Sequence, residues 1–248
     1  MSTSPGAAWQ KEHVVTGFID ERRELIPLFD VQQELVRRLI TRGGRKILRF
    51  CDLGAGDGAF AEFLMDLYPE STCVLVDFSE PMLTAAESRL AGKRGRWEIV
   101  SADLATSGWR DGLHSGERFD AVVSRLCIHH LPNERKRELY QEAFDLLEPG
   151  GLFLNWEHVA IGGLADGLFE EFFIERLLEA ECKRANPRPP EAVVHDFHEA
   201  TDEDVLLDAE TQCAWLGEIG FEQVDVYFKL PELAIFGGVR PGRNPEAI

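Results

Sequence analysis

Basic residues are scarce in this chain: 26 Lys and Arg stand against 44 Asp and Glu, a net charge of −18. That balance argues against a nucleic-acid partner, because binding a polyanion leaves a basic stripe on the protein. Paired cysteines are missing too. Cys51, Cys73, Cys127, Cys182 and Cys213 are odd in number and contain no C-x-x-C spacing. Three of them fall in apolar runs, so they read as small core residues in a reducing compartment. No stretch approaches the length needed to span a membrane, and the segment from Met1 to Trp9 has no apolar signal run. The expectation is a cytoplasmic protein with a small-molecule partner, no nucleic acid and no membrane, a homodimer being the one assembly entertained.

What is present is one strong local pattern. Lys46-Ile-Leu-Arg-Phe-Cys-Asp52-Leu-Gly54-Ala-Gly56-Asp57-Gly58-Ala59-Phe60 passes from a strand-like apolar run through three glycines into an apolar-periodic helix carrying Phe60, Phe63, Leu64 and Leu67. Glycines remove side chains where the backbone must turn sharply and approach a ligand, and a helix start adds converging N–H groups. This is a nucleotide-type cofactor site. Two readings fit. Gly54, Gly56 and Ala59 spell a dinucleotide fingerprint, with Asp77 as the ribose acid of an NAD(P)-dependent oxidoreductase. Asp52, Gly54, Gly56 and Gly58 spell D-x-G-x-G-x-G.

The second reading resembles the first motif of the class I S-adenosylmethionine-dependent methyltransferases, and further matches follow in order. Ser71-Thr-Cys-Val-Leu-Val-Asp77 is similar to the family's second strand, whose terminal acid holds the ribose hydroxyls. The resemblance implies that Phe78 and Met82 flank the adenine and that Asp103, followed by Leu104, accepts from its amine. Phe119 to Pro132 resembles the fourth strand, with Ser124, Arg125 and the His129-His130-Leu-Pro motif. Pro149-Gly150-Gly151 matches the loop before the fifth strand. The resemblance implies S-adenosyl-L-methionine as cofactor, with Asp52 holding the methionine amino group. A pyrophosphate would be repelled by a carboxylate at position 52.

At 248 residues and 44% hydrophobic content, the fold expected is α/β, a Rossmann-like doubly wound sheet, mostly parallel with an antiparallel last strand, plus a helical cap and lid. The divisions are 1–45 as N-terminal helical lid, 46–157 as cofactor-binding core, 158–205 as helical cap, and 206–240 as the closing helix and last two strands. A helix is expected over Val31–Ile40, stopped by Gly43-Gly44. Phe18, Arg22 and Arg23, ahead of it, are candidates to reach the cofactor as part of the lid.

Between Glu157 and Asp225, 18 acids face 4 bases, which reads as a solvated acidic face or as an acidic mouth for an amine-bearing substrate. Leu164, Leu168, Phe169, Phe172, Phe173, Leu177 and Leu178 describe a capping helix with a wide apolar stripe. Asn186-Pro187-Arg-Pro189-Pro190 breaks it, and Val194–Glu199 is expected as a loop. There His195 and His198 are weak metal candidates, and no metal is expected. Candidate catalytic residues are His129, His130, Glu157, His158 and His198, a histidine near neutral pKa being suited to remove a proton from an acceptor. Trp156, Phe172 and His195 are candidate substrate contacts. The segment around Cys182–Asn186 and the closing helix and strands are similar to the carboxy-S-adenosylmethionine synthase branch, whose products serve tRNA wobble modification. That branch holds the extra carboxylate with an Arg in a K-R-x-x-x-E-N segment. The comparable stretch here, His195-Asp-Phe-His-Glu-Ala-Thr-Asp-Glu-Asp, is acidic. The function expected is methyl transfer to a small-molecule acceptor, against the alternatives of that tRNA-modification activity, an oxidoreductase, or a binding protein without catalysis.

Overall fold

The structure, a computed structural model, describes residues 7–11, 25–114, 116–202 and 204–242. Phe18, Arg22 and Arg23 lie outside these residues. Seven strands form one sheet in the order β3-β2-β1-β4-β5-β7-β6. They are β1 (Arg49–Leu53), β2 (Thr72–Asp77), β3 (Arg96–Ser101), β4 (Phe119–Arg125), β5 (Leu147–His158), β6 (Glu222–Leu230) and β7 (Leu233–Val239). The first five run parallel, and β7 runs antiparallel to both β5 and β6. Order reverses between β1 and β4, so the sheet is doubly wound with its crevice at the carboxyl ends of those two strands.

Alternation along the strands divides the core into two layers. Cys51 and Leu53 of β1 pack with Val74, Val76, Val122 and the helix α4 (Asn133–Leu146), under α7 (Ala209–Ile219). Phe50 points the other way, toward Val36 and Ile40 of α1 (Phe29–Thr41) and Phe60 and Leu64 of α2 (Ala59–Leu67); α3 (Glu80–Leu90) completes that layer. Strands buried on both faces are near-continuously apolar, which is why β1, β2 and β4 read so plainly in the sequence.

The cap is two helices, α5 (Leu168–Cys182) and α6 (Pro190–Thr201), joined through Phe173, Leu177, Val193 and Phe197. Two expectations change here. The apolar stripe of α5 is only half used: Phe173 and Leu177 are buried, whereas Leu164, Leu168 and Phe172 face solvent. Val194–Glu199 is helical, because Pro190 starts α6 at its first turn, where a missing N–H costs nothing, instead of ending structure. No helix among the described residues is long and apolar enough to cross a membrane.

Candidate functional site

A cleft of about 830 Å³ opens at the switch point, lined from the ends of β1 to β4 by Asp52, Gly54–Asp57, Phe60, Asp77–Ser79, Met82, Ala102–Leu104, Arg125–Cys127, His130 and Leu131, with Trp9 across its mouth. The turn after β1 has a built-in requirement for glycine. Gly54 has φ +68°, and a Cβ there would fall far inside van der Waals contact of Cys127 Sγ. With that position bare, its N–H and that of Ala55 both reach the Val76 carbonyl at 2.8 and 3.0 Å, tying the turn to β2.

Four carboxylates line this cleft: Asp52, Asp57, Asp77 and Asp103. Asp57 is engaged by Arg89, 2.5 Å from its Oδ2. Asp77 accepts from Gly56 N through Oδ2 and from Ser79 N through Oδ1, both at 2.8 Å. Burial raises its pKa in spite of those bonds. The Phe78 backbone N–H adds to them. Asp103 Oδ1 accepts from Ala105 N at 2.8 Å, which fixes the acid on its turn. Asp52 is different. It is 1% exposed and neither of its oxygens has a well-formed hydrogen bond, although the Ala61 backbone N–H helps to hold its charge. Burial pushes its carboxyl up to about 7, the Arg125 guanidinium working in the opposite direction. A buried, unsatisfied carboxylate at the cleft wall is a site for a cationic group, and an aminocarboxylate ligand supplies one. Arg125 itself lies over the rings of Phe60 and Trp156, 5.3 and 5.7 Å from their centroids.

A second cleft of about 640 Å³ shares Trp9, Leu126 and His130 with the first. Its walls are apolar, with Ile26, Phe169, Phe173, Phe197 and Leu233, and its polar side is His129, His130, His158, Thr201 and Asp204. Leu126, at the junction, has φ +50°, a strained conformation for a branched residue. It turns the chain out of β4 into the short helical turn Ile128–His130, so the two histidines end beside the tip of β5.

A network of acids and imidazoles lies there. Glu157 Oε1 is 2.5 Å from His129 Nδ1 and also accepts from His158 N at 2.8 Å, while Oε2 accepts from His129 N at 3.1 Å. Burial opposes it, but the His129 ring and these bonds hold Glu157 below the usual carboxylate range. Asp204 Oδ1 is 2.7 Å from His130 Nδ1 and 3.7 Å from His129 Nε2; its Oδ2 is 3.7 Å from His158 Nδ1. Against burial, these three imidazoles hold Asp204 well below its ordinary pKa. Burial likewise opposes the charge on His158, yet Asp204 and Glu232 raise it to about 9. Burial and the neighbouring His129 lower His130. Its Nε2 accepts from the Trp9 indole N–H at 3.1 Å, so the proton of the neutral ring belongs to Nδ1, the nitrogen that lies 2.7 Å from Asp204 Oδ1.

The cofactor candidates Asp52, Gly54, Gly56, Asp77, Phe78, Met82, Asp103, Leu104 and Arg125 all line the first cleft. Gly58 sits behind it as the residue preceding α2, at φ +74°. Ser124 is not on the cleft wall: fully buried, it donates to the Leu53 carbonyl at 2.8 Å, a bond between β4 and β1. Of the catalytic candidates, His129, His130 and His158 line the second cleft, with Glu157 bonded behind His129. His198 is outside both clefts, 3.7 Å from Glu170 on the cap surface. His195 is exposed, as is Phe172. Trp156 lies in the core, stacked on Phe29 with centroids 5.3 Å apart. It belongs to the opposite face of β5 from Glu157, which strand alternation dictates. The group of possible metal ligands that the structure assembles is not His195 and His198 but His129, His158 and Asp204, whose ligand atoms lie within 4.8 Å of one another. Trp9, Asp204 and Glu232 were not singled out by sequence. Only Asp204 carried a signal, as part of the acidic run Asp202–Asp204.

Comparison with known proteins bears on this geometry. Residues 50–151 match a family model described as a methyltransferase domain. The chain is 35% identical over 103 residues to an uncharacterised methyltransferase of Mycobacterium tuberculosis, an alignment covering 40% of this chain and 45% of that protein, so the chain spans about half the length of that relative. It is 25% identical over 223 residues to the carboxy-S-adenosyl-L-methionine synthase of Aeromonas hydrophila, covering 88% of this chain and 84% of the relative. Among solved structures, a Haemonchus contortus phosphoethanolamine N-methyltransferase in complex with S-adenosylhomocysteine superposes with a TM-score of 0.63 at 15% identity, over 97% of this chain and 61% of that one, a likeness of fold.

Proposed function

We propose that this chain, which belongs to the class I S-adenosylmethionine-dependent methyltransferases through its methyltransferase domain, transfers a methyl group to a small molecule held in the second cleft. The observation that carries this reading is the junction: two adjoining clefts share Trp9, Leu126 and His130. A donor in one and an acceptor in the other would meet there, which is what an in-line displacement requires.

Bound S-adenosylmethionine supplies an electrophilic methyl on a sulfonium. Asp52, buried without a well-formed hydrogen bond, neutralises the amino group of the methionine moiety. Asp77 accepts from the ribose hydroxyls, while Phe78, Met82 and Asp103 take the adenine. Asp204 fixes His130 so that Nε2 is the proton-accepting atom at the junction, and an acceptor hydroxyl or amine takes the place of the Trp9 N–H there. Phe169, Phe173 and Phe197 exclude water around an apolar acceptor. The acid excess between Glu157 and Asp225 favours an amine-bearing molecule over an anionic one.

The carboxy-S-adenosylmethionine synthase likeness runs through most of the chain, and a carboxylated donor needs a cation near its methyl position. Among the described residues the second cleft is lined by Asp204 and by no Arg or Lys, and the one Arg of the first cleft, Arg125, lies over the rings of Phe60 and Trp156. This supports plain methyl transfer. Four carboxylates in the first cleft speak against the pyrophosphate of a nicotinamide cofactor. The test is a turnover screen, reading S-adenosylhomocysteine release across amine, phenol, carboxylate and thiol libraries, alongside calorimetry with S-adenosylmethionine and NADH. Binding of NADH without S-adenosylmethionine would overturn the reading. Donor binding with no acceptor turned over in any class would favour the binding-protein alternative.

A further inference from the structure

The polar floor of the second cleft has an organisation that proton acceptance by His130 does not explain. His129 Nε2 and His158 Nδ1 converge on the carboxylate of Asp204, each 3.7 Å from its nearer oxygen. That is beyond hydrogen-bond length. The two distances run to different oxygens, Oδ1 and Oδ2, and each is within the separation possible for two atoms that lie about 2.1 Å from a common ion. All three ligand atoms fall within 4.8 Å of one another.

The outer side of each group is also occupied. His129 Nδ1 is 2.5 Å from Glu157, His158 Nε2 is 3.5 Å from Glu232, and Asp204 Oδ1 is 2.7 Å from His130 Nδ1. A carboxylate behind each imidazole is the support that fixes metal-binding histidines and sets their tautomers, and Asp204 Oδ1 is buried without a hydrogen-bond partner of its own. Charge points the same way. Three carboxylates gather in this cluster, Glu157 and Glu232 buried and Asp204 partly so. The nearby ammonium of Lys136 gives its hydrogen bonds to Leu131 O, Asn133 Oδ1 and Val205 O, not to an acid.

We propose that His129, His158 and Asp204 bind one divalent transition-metal cation at the floor of the second cleft. Two imidazoles and one carboxylate select a first-row ion such as Zn²⁺, Co²⁺ or Mn²⁺ over Mg²⁺ or Ca²⁺. All three residues line the cleft, so an ion has an entry path and its remaining coordination positions face the acceptor space.

Chelator-stripped full-length protein is titrated by calorimetry with Zn²⁺ and with Co²⁺, and the Co²⁺ form is read by visible absorption. The expected result is one equivalent per chain, d–d bands without a thiolate charge-transfer band, and at least tenfold weaker binding in both Asp204→Asn and His158→Gln. S-adenosylmethionine affinity reports that each variant is folded. Should either variant fail that check, Glu232→Gln, which leaves all three ligands in place, is expected to weaken binding about tenfold. His198→Ala is expected to bind as the parent does. No stoichiometric binding, a thiolate band, affinity unmoved by the cluster substitutions, or loss in His198→Ala would each overturn the site. Metal binding is read directly, so failure here is distinct from failure of the methyl-transfer reading.

Discussion

Gly54 and Cys127, 73 positions apart in the chain, occupy one volume: the space a Cβ on the glycine would need is filled by the cysteine's side chain. Gly54→Ala must therefore strain its φ of +68° and displace Cys127. The left-handed conformation alone costs about 1–2 kcal/mol. The expected outcome is a lowered melting temperature and at least tenfold weaker S-adenosylmethionine binding by calorimetry. Adding Cys127→Ala should recover part of the stability, because it relieves the overlap and leaves the φ strain.

Asp52→Asn should separate stability from binding. The carboxyl's folded pKa of about 7 lies above its reference of 3.8. Its contribution to stability is therefore full below pH 3.8 and lost as pH rises through 7, an effect of up to about 4 kcal/mol at 1.36 kcal/mol per unit. The amide variant should melt higher than the parent at pH 8 without ligand, with the gap closing toward pH 4, and should lose donor binding. In the parent, donor affinity should fall up to tenfold per pH unit below 7 as Asp52 takes up a proton. A parent whose affinity is flat from pH 8 to 5.5 would contradict this.

Ser124→Ala should destabilise by about 1–2 kcal/mol, since it leaves the buried Leu53 carbonyl short of its donor. Donor affinity should be unchanged. Denaturant unfolding and calorimetry on the same variant distinguish this role from a cofactor contact, for which affinity would drop.

Adjacent phenylalanines of the cap should behave oppositely. Phe173→Ala removes a buried ring from the second cleft's wall and should cost about 3 kcal/mol, with a raised KM for whatever acceptor the screen identifies. Phe172, 42% exposed, should tolerate alanine within about 0.5 kcal/mol.

These contrasts mark where sequence was readable. Asp52, the glycine turn and Asp77 stand at the carboxyl ends of buried strands, which contiguous apolar runs announce together with the residues that follow, and Asp103 lies two residues past the edge strand β3. Parity was harder: Ser124 precedes the cleft-lining Arg125 and faces β1, while Trp156 precedes Glu157 and faces α1. One-residue offsets on a strand reverse a side chain's surroundings, and a strand buried on both faces carries no polar alternation to reveal which is which. The second cleft was least legible. His129 and Glu157 sit 28 residues apart, Asp204 and Glu232 farther still, and only tertiary packing brings them together. Reading Pro187–Pro190 as a break hid α6, whose His195 and His198 lie outside the site.

Glu232 lies in the two-residue turn between β6 and β7, where its carbonyl accepts from Val159 N at 2.8 Å and its carboxylate stands behind His158. Every residue lining the first cleft has left the ribosome's active centre once position 131 is made, whereas the second cleft waits for position 233. Synthesis thus completes the pieces of the donor pocket about a hundred residues before those of its neighbour. The antiparallel hairpin that closes the sheet also sets the moment at which the nascent chain acquires the last of the described residues that line the second cleft.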